Sequence, residues 1–229
     1  MTMDINCDIG EVPEMIEGGG QESILPHLTS VNIACGGHAG DERMMRVSVD
    51  QARRYGLKIG AHPSYPDRAN FGRLELDMPL GAVEQTVHEQ ILALVKICGG
   101  IAHVKPHGAL YNQAARDEKL AMAVARGVGR FSRTVTLVGL AGSKMLDVFR
   151  SEGFPVLAEG FADRRYESDG SLRNRRLPGA LIQDPSDAAA QAVRLAKSGV
   201  AETICIHGDT PGAAMIAAAV SKALRGASS

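Results

Sequence analysis

Val31-Asn32-Ile33-Ala34-Cys35-Gly36-Gly37-His38-Ala39-Gly40-Asp41 reads as a short β-branched strand, 31–35, that breaks off into a glycine-rich turn carrying a histidine and an aspartate. Met45, Val49 and Ala52 then recur at helical spacing up to a stop at Gly56, and 57–61 is a second apolar run. Strand, helix and strand follow one another within about 30 residues, the length of a βαβ unit.

The same alternation extends in both directions. Further strands are expected over 4–7, 101–105, 134–138, 155–159 and 203–207, which makes seven in all. Between them, Val83, Val87, Ile91 and Leu94 mark a helix ending near Gly99-Gly100, and Leu120 and Val124 mark another. Ala189, Val193 and Ala196 define an apolar stripe on a helix from Asp184-Pro185-Ser186 to Gly199, and an alanine-rich helix follows Thr210-Pro211 and ends near Gly226. Apolar strands alternating with helices specify a parallel α/β sheet covered on both faces. The segment 160–182 breaks the rhythm, being polar, arginine-rich and too long for an ordinary βα connection.

Composition narrows the function classes. The 229 residues carry 25 basic and 26 acidic side chains, a formal charge of −1, so no broad positive surface for nucleic acid or an anionic membrane is expected. With 45% apolar residues the chain can bury a sizeable core, and its length fits one domain over 1–229. The 26 glycines exceed the roughly 16 that a usual share of about 7% would give, pointing to tight turns beside a ligand. The first residues lack a basic segment followed by an apolar one, and the charge-free stretch 23–40 contains Pro26 and two histidines, so neither a secretory signal nor a membrane span is expected. Four scattered cysteines form no C-x-x-C pair, which suits a reducing cytoplasm.

Polar clusters sit at the carboxyl ends of the strands: Asn6 to Glu11, Cys35 to Asp41, His62-Pro63-Ser64, Lys105-Pro106-His107-Gly108, Glu159 to Arg165, and His207 to Gly212. In parallel α/β folds those ends face the ligand crevice, so His38, His62, His107 and His207 should converge. Simple roles compete at each position. Asp41 and Asp209 could cap helices, Cys35 and Cys205 suit small buried positions, and Arg173, Arg175 and Arg176 suit a solvated loop surface. Lys105 ends an apolar strand and requires a carboxylate or an anionic ligand, and Arg164 beside a strand end could grip an anion. Imidazole and carboxylate together also suit a divalent cation, but no H-E-x-x-H, P-loop or G-x-S-x-G motif is present.

In sequence and order these clusters resemble the LamB/YcsF family. The matching stretches are Asp4 to Glu11, Asn32 to Asp41, Gly60 to Asp67, Phe71-Gly72-Arg73, Val104 to Asn112, Glu159 to Tyr166, Pro178-Gly179-Ala180 and His207 to Ala213. Two departures stand out: Gly37 occupies a position where the family pattern has Phe, and the segment after Glu11 lacks its Gly-Phe-Gly character. The resemblance implies a seven-stranded TIM-like β/α barrel similar to the glycoside hydrolase/deacetylase superfamily. It implies opening of the 5-oxoproline (pyroglutamate) lactam to L-glutamate with ATP, accompanied by Mg2+, as co-substrate and with PxpB and PxpC as partner subunits. On that basis Asp8, His38, Lys105 and His107 are the expected catalytic residues. Asn6, His62, Tyr111, Asp163, Arg164, His207 and Asp209 are expected to bind substrate. The alternatives are a stand-alone metal-dependent amidase or deacetylase, with Asp8, His38 and His62 holding the cation, and a non-catalytic subunit that binds a small molecule.

Overall fold

The computed structural model describes residues 3–175 and 177–227, so Arg176 lies outside the described residues. Strands β1 (Asp4–Ile9), β2 (Ser30–Ala34), β3 (Lys58–His62), β4 (His103–Val104), β5 (Thr136–Leu140), β6 (Val156–Phe161) and β7 (Thr203–His207) pair in chain order. All pairs are parallel, and β7 returns to β1 with Asp4 opposite Thr203, closing the barrel. The seven expected strands are present, and the fold is the seven-stranded β/α barrel.

Helices α1 (Pro13–Glu17), α2 (Gly20–Ile24), α3 (Glu42–Arg54), α4 (Leu80–Cys98), α5 (Gly108–Ala114), α6 (Glu118–Gly129), α7 (Lys144–Ser151) and α8 (Pro185–Lys197) lie between successive strands, and α9 (Ala213–Ala227) follows β7. Local chemistry sets several of their ends. The Asp41 carboxylate caps α3 by accepting from Met44 N, the Asp184 carboxylate caps α8 at Ser186 N and Asp187 N, and Gly99 ends α4 in the left-handed conformation. Asp41 is therefore a capping residue. On α8 the buried side is Ala188, Gln191 and Ala192, while Ala189, Val193 and Ala196 lie only half-buried. The expected stripe is rotated because the Gln191 carboxamide turns inward and donates to the Phe161 and Arg164 carbonyls, both at 2.7 Å. No helix among the described residues is long and apolar enough to cross a membrane. The four cysteines are buried and unpaired.

The strand faces divide the labour. Ile5, Cys7, Ile9, Val31, Ile33, Ala61, Val104, Ile204 and Ile206 belong to the apolar core, together with Val83, Val87, Ile91, Leu94, Val124 and Ile216 of the helices. The opposite parity, Asn6, Asp8, Asn32, His103, Lys105, Glu159 and Thr203, is polar and meets across the barrel interior. A chain of hydrogen bonds follows the barrel axis. Thr203 Oγ1 donates to Asp4 Oδ2 at 2.7 Å, Asn6 Nδ2 to Thr203 Oγ1 at 2.8 Å, Asn32 Nδ2 to Asn6 Oδ1 at 2.8 Å, and His103 Nε2 to Asn32 Oδ1 at 2.7 Å. The His103 ring crosses over Gly60, where a Cβ would fall 2.1 Å from Nε2, so β3 requires a glycine there.

Candidate active site

At the upper end of this chain Lys105, 2% exposed, reaches Asp8 Oδ1 and Glu159 Oε1, each at 2.9 Å. Asn6 Oδ1 and Cys205 Sγ accept from the same ammonium at 3.2 Å, and Tyr111 donates to Glu159 Oε2 at 2.7 Å. Burial alone would raise the Asp8 carboxyl, but His62 and Lys105 outweigh it and hold Asp8 well below the usual carboxylate range. Burial likewise opposes the Lys105 charge, yet Asp8 and its neighbours keep the ammonium well above its ordinary value. Burial and the adjacent Glu159 push the Tyr111 hydroxyl well up, so it serves as a donor. The requirement for a carboxylate beside Lys105 is met twice within the fold.

Beside this triad three imidazoles gather around Glu11. His38 Nε2 lies 2.9 Å from Glu11 Oε1, and the His38 ring stacks on His107 with centroids 3.6 Å apart. His107 Nδ1 is 3.3 Å from Glu11 Oε1 and 3.0 Å from His62 Nε2, and His62 Nε2 is 3.2 Å from Asp8 Oδ2. Two backbone carbonyls set the tautomers, because a carbonyl only accepts. His62 Nδ1 donates to Lys105 O at 2.7 Å and His107 Nε2 to Phe71 O at 3.0 Å. Burial lowers the His38 pKa to about 3 and also lowers that of His107, despite opposition from Glu11. The Glu11 carboxyl, which burial would raise, is held well below its usual range by His107 and His38.

The mouth of the barrel is cationic. Arg73 and Arg175 bind the two oxygens of Asp209 at 2.8 Å and 2.5 Å. Arg164, 7% exposed, donates from Nη2 to Arg173 O, and its buried Nε has no partner among the described residues. His207 Nδ1 is held by Asp163 Oδ1 at 2.9 Å, and Thr210 Oγ1 donates to Asp163 Oδ2. Arg73, Arg164, Arg175, His207 and Asp209 line a cavity of about 1000 Å³ together with Asp8, Glu11, His62, Lys105, His107 and Phe161 at its closed end.

The four strand-tip histidines do not all occupy one cluster: His38, His62 and His107 do, whereas His207 stands at the mouth, stacked on Phe161. Asp8, Lys105, His107, His62, Tyr111, Arg164, His207 and Asp209 line the cavity. Asn6, His38 and Asp163 do not. Asn6 bonds Asn32, Thr203 and Lys105 beneath the floor, His38 lies behind Glu11, and Asp163 orients His207 from inside. These three bond to neighbouring groups from outside the cavity lining. Asp209 caps no helix; it binds two guanidiniums. Arg175 is no free surface residue, since the 162–184 segment folds back through bridges pairing Arg164 with Leu181 and Tyr166 with Leu172 and brings it to the mouth.

Glu11, Glu159 and Arg73 are site residues to which sequence pattern alone assigns no role. Glu159 stands two residues before the end of β6, on the polar parity, and Glu11 swings over the barrel after the left-handed turn at Gly10. Gly37 has a local cause. A Cβ there would lie 2.3 Å from Gln90 Oε1 and 2.4 Å from Ser64 Oγ, so the Gln90 clamp on the Ser64 backbone occupies the space a phenylalanine would need.

Known proteins share both the sequence and the barrel. The LamB/YcsF family profile matches residues 3–229. A 5-oxoprolinase subunit of Chloroflexus aggregans is 50% identical over 99% of this chain and 96% of its own length. The protein of the same name from Heliobacterium modesticaldum is 45% identical over 98% and 94%. The crystal structure of a lactam utilization protein from Thermus thermophilus superposes with a TM-score of 0.89 at 38% identity, covering 100% of this chain and 98% of that one. A GH113 beta-1,4-mannanase, at 12% identity and a TM-score of 0.58 over 98% and 99%, shares the barrel fold alone. With its profile matched almost end to end and its relatives aligned over nearly their full length, this chain belongs to the LamB/YcsF family.

Proposed function

We propose that this chain is the lactam-binding subunit of an ATP-dependent 5-oxoprolinase, acting with PxpB and PxpC to convert 5-oxoproline to L-glutamate. The polarity of the cavity carries the reading. Arg73, Arg164 and Arg175 surround the mouth, with an Arg164 Nε–H that no group among the described residues uses, while carboxylates and imidazoles occupy the closed end. An anionic small molecule entering such a cavity places its charge among the guanidiniums and its reacting bond near the bases. The names borne by the relatives point to the same substrate class.

A lactam is an unactivated amide. In the proposed reaction its carbonyl oxygen takes the γ-phosphoryl group of ATP, accompanied by Mg2+, and ADP leaves. Water then adds to the ring carbon and gives its proton to a base. The ring C–N bond breaks with the nitrogen departing as a protonated amine, and a second water hydrolyses the resulting acyl phosphate to glutamate and phosphate. Asp8 and His107 are the proposed bases, with His38 and Glu11 relaying protons behind His107. Lys105 is assigned to keeping Asp8 ionised, a positioning role, and Arg164 to the substrate carboxylate or the phosphoryl oxygens.

Co-expression with PxpB and PxpC, followed by assay of glutamate and ADP release from 5-oxoproline, tests the reading. ATP-coupled turnover by the complex is expected, together with its collapse in His107→Ala. Glutamate release by this chain alone without ATP would replace the reading with the metal-dependent amidase, which the imidazole cluster favours. Binding of 5-oxoproline with turnover untouched by His107→Ala would reduce the chain to a non-catalytic binding component.

A further inference from the structure

The imidazole cluster holds a contact that hydrogen bonding among neutral side chains leaves unexplained. Each outer ring nitrogen is committed as a donor to a carbonyl, His62 Nδ1 to Lys105 O and His107 Nε2 to Phe71 O. In neutral rings the two inner nitrogens, His62 Nε2 and His107 Nδ1, then present lone pairs to each other at 3.0 Å, with the Glu11 carboxylate against both. Like-polarity groups packed this way require a cation among them, either a proton or a metal ion.

We infer that His62, His107 and Glu11 form a binding site for a divalent transition-metal ion of the zinc class, with Asp8 and His38 flanking it. The edges of the donor triangle are 3.0 Å between the two nitrogens, 3.3 Å from His107 Nδ1 to Glu11 Oε1 and 3.7 Å from His62 Nε2 to Glu11 Oε1. A tetrahedral ion with bonds of about 2.0–2.1 Å has donor–donor edges of about 3.3 Å, so the triangle matches one face of its coordination sphere. Further donors stand on either side. Asp8 Oδ2 lies 3.2 Å from His62 Nε2, and His38 offers a ring nitrogen within 4.8 Å of the other three ligand atoms. Borderline nitrogen and carboxylate donors select zinc or cobalt over magnesium or calcium, which prefer oxygen alone.

The backbone supports the same assignment. Carbonyls holding the outer N–H groups of two rings are the usual second layer around metal-bound histidines, because they fix the tautomer and aim the ring. Phe71, whose carbonyl does this for His107, is held at φ +56° in the left-handed region, among the described residues the one non-glycine so placed. A phenylalanine there is strained, and the strain sets the carbonyl against His107. The donors and geometry of the site do not depend on which substrate the cavity takes, but an ion on His107 Nδ1 fills the lone pair that the lactam reading gives to a base and leaves that role to Asp8.

The full chain, stripped with chelator and re-equilibrated with Zn2+, tests the site by metal analysis, with Co2+ as a spectroscopic probe. Roughly one cation per chain is expected, with the visible bands of four-coordinate cobalt and affinity lowered tenfold or more in His62→Gln, His107→Gln or Glu11→Gln. His27→Gln, on the turn Leu25–His27 that precedes the amino end of β2, away from the strand carboxyl ends that carry the cluster, should bind as the unaltered chain does. If a ligand variant does not fold, the unaltered chain decides through a melting temperature that rises with Zn2+ and saturates near one equivalent. Binding weaker than about 10 µM, or binding that survives loss of both histidines, overturns the site and leaves a proton as the bridging cation. ATP-coupled turnover is measured separately: metal binding without turnover overturns the lactam reading alone, and turnover without metal binding overturns the metal site alone and leaves His107 as a base.

Discussion

Replacing Lys105 with methionine keeps the side chain's length and deletes its charge, leaving Asp8 and Glu159 buried with one cation fewer between them. Each carboxylate oxygen lies 2.9 Å from Nζ. At an effective dielectric of about 20 each contact carries roughly 6 kcal/mol of attraction before desolvation is subtracted. Breaking a buried pair by removing one partner costs about 3–5 kcal/mol net, because the other charge stays buried. For a chain of this length that lowers the melting temperature by about 6–10 °C. The loss should also depend on pH. Without the ammonium one of the charges that hold Asp8 low is gone, so its carboxyl titrates higher than in the unaltered protein, and the variant's deficit is smallest at low pH and grows as pH rises. Thermal melts of both proteins at pH 5, 6.5 and 8 would measure this. Lys105→Met combined with Glu159→Gln removes one of the two carboxylate charges left without the ammonium and should recover part of the deficit. A single variant that loses less than about 1 kcal/mol, or the same amount at every pH, would refute the view of Lys105 as the counter-charge of the triad.

His103 supplies a second pH test. Burial holds its pKa at about 4, whereas the unfolded chain titrates near 6.5; the native protein therefore refuses a proton that the unfolded chain accepts. Its contribution is complete above pH 6.5 and fades as pH falls toward 4, by about 2 kcal/mol between pH 7.5 and 5, and urea unfolding of wild type against His103→Gln should reveal that slope. Gly37→Ala should cost about 1–3 kcal/mol in a melting experiment, since its Cβ displaces Gln90 or Ser64, and a neutral result would mean that the clamp is slack. Arg164→Lys should raise KM for 5-oxoproline in the reconstituted complex by about tenfold, which is about 1.4 kcal/mol, because lysine lacks the Nε–H; an unchanged KM would place the substrate anion elsewhere.

The strand–helix alternation was legible because apolar periodicity is local, and β2, α3 and β3 appear where Val31, Met45 and Ile59 place them. Closure of β7 on β1 left no local mark and rested on the family resemblance. At the site, His62, Lys105 and His107 were recognisable as polar residues ending apolar runs. Glu159 was hidden because β6 continues two residues beyond it, turning an apparent strand end into an interior position. Glu11 depends on one left-handed turn at Gly10, and Arg175 on long-range pairing of the 162–184 segment, neither of which a local pattern encodes. The inward-facing amide of Gln191 rotated the α8 stripe for a similar reason, since its acceptors lie about 30 residues earlier in the chain.

The hydrogen-bonded chain along the barrel axis bears on how this molecule can change over evolutionary time. Barrels filled with aliphatic layers tolerate gradual exchange, one branched side chain for another, at a small cost each time. Here Asp4, Thr203, Asn6, Asn32 and His103 hold one another in sequence. An apolar replacement at any one position strands its partner or partners in the column, whereas replacement of the whole column could be nearly neutral. Intermediates between a polar and an aliphatic lumen are therefore less stable than either end, and single substitutions face a valley between them. The same column fixes the stagger of the strands, because sliding one by a residue exchanges its polar face for its apolar one. Divergence in this architecture is channelled outward, to the helices and the loops at the cavity mouth.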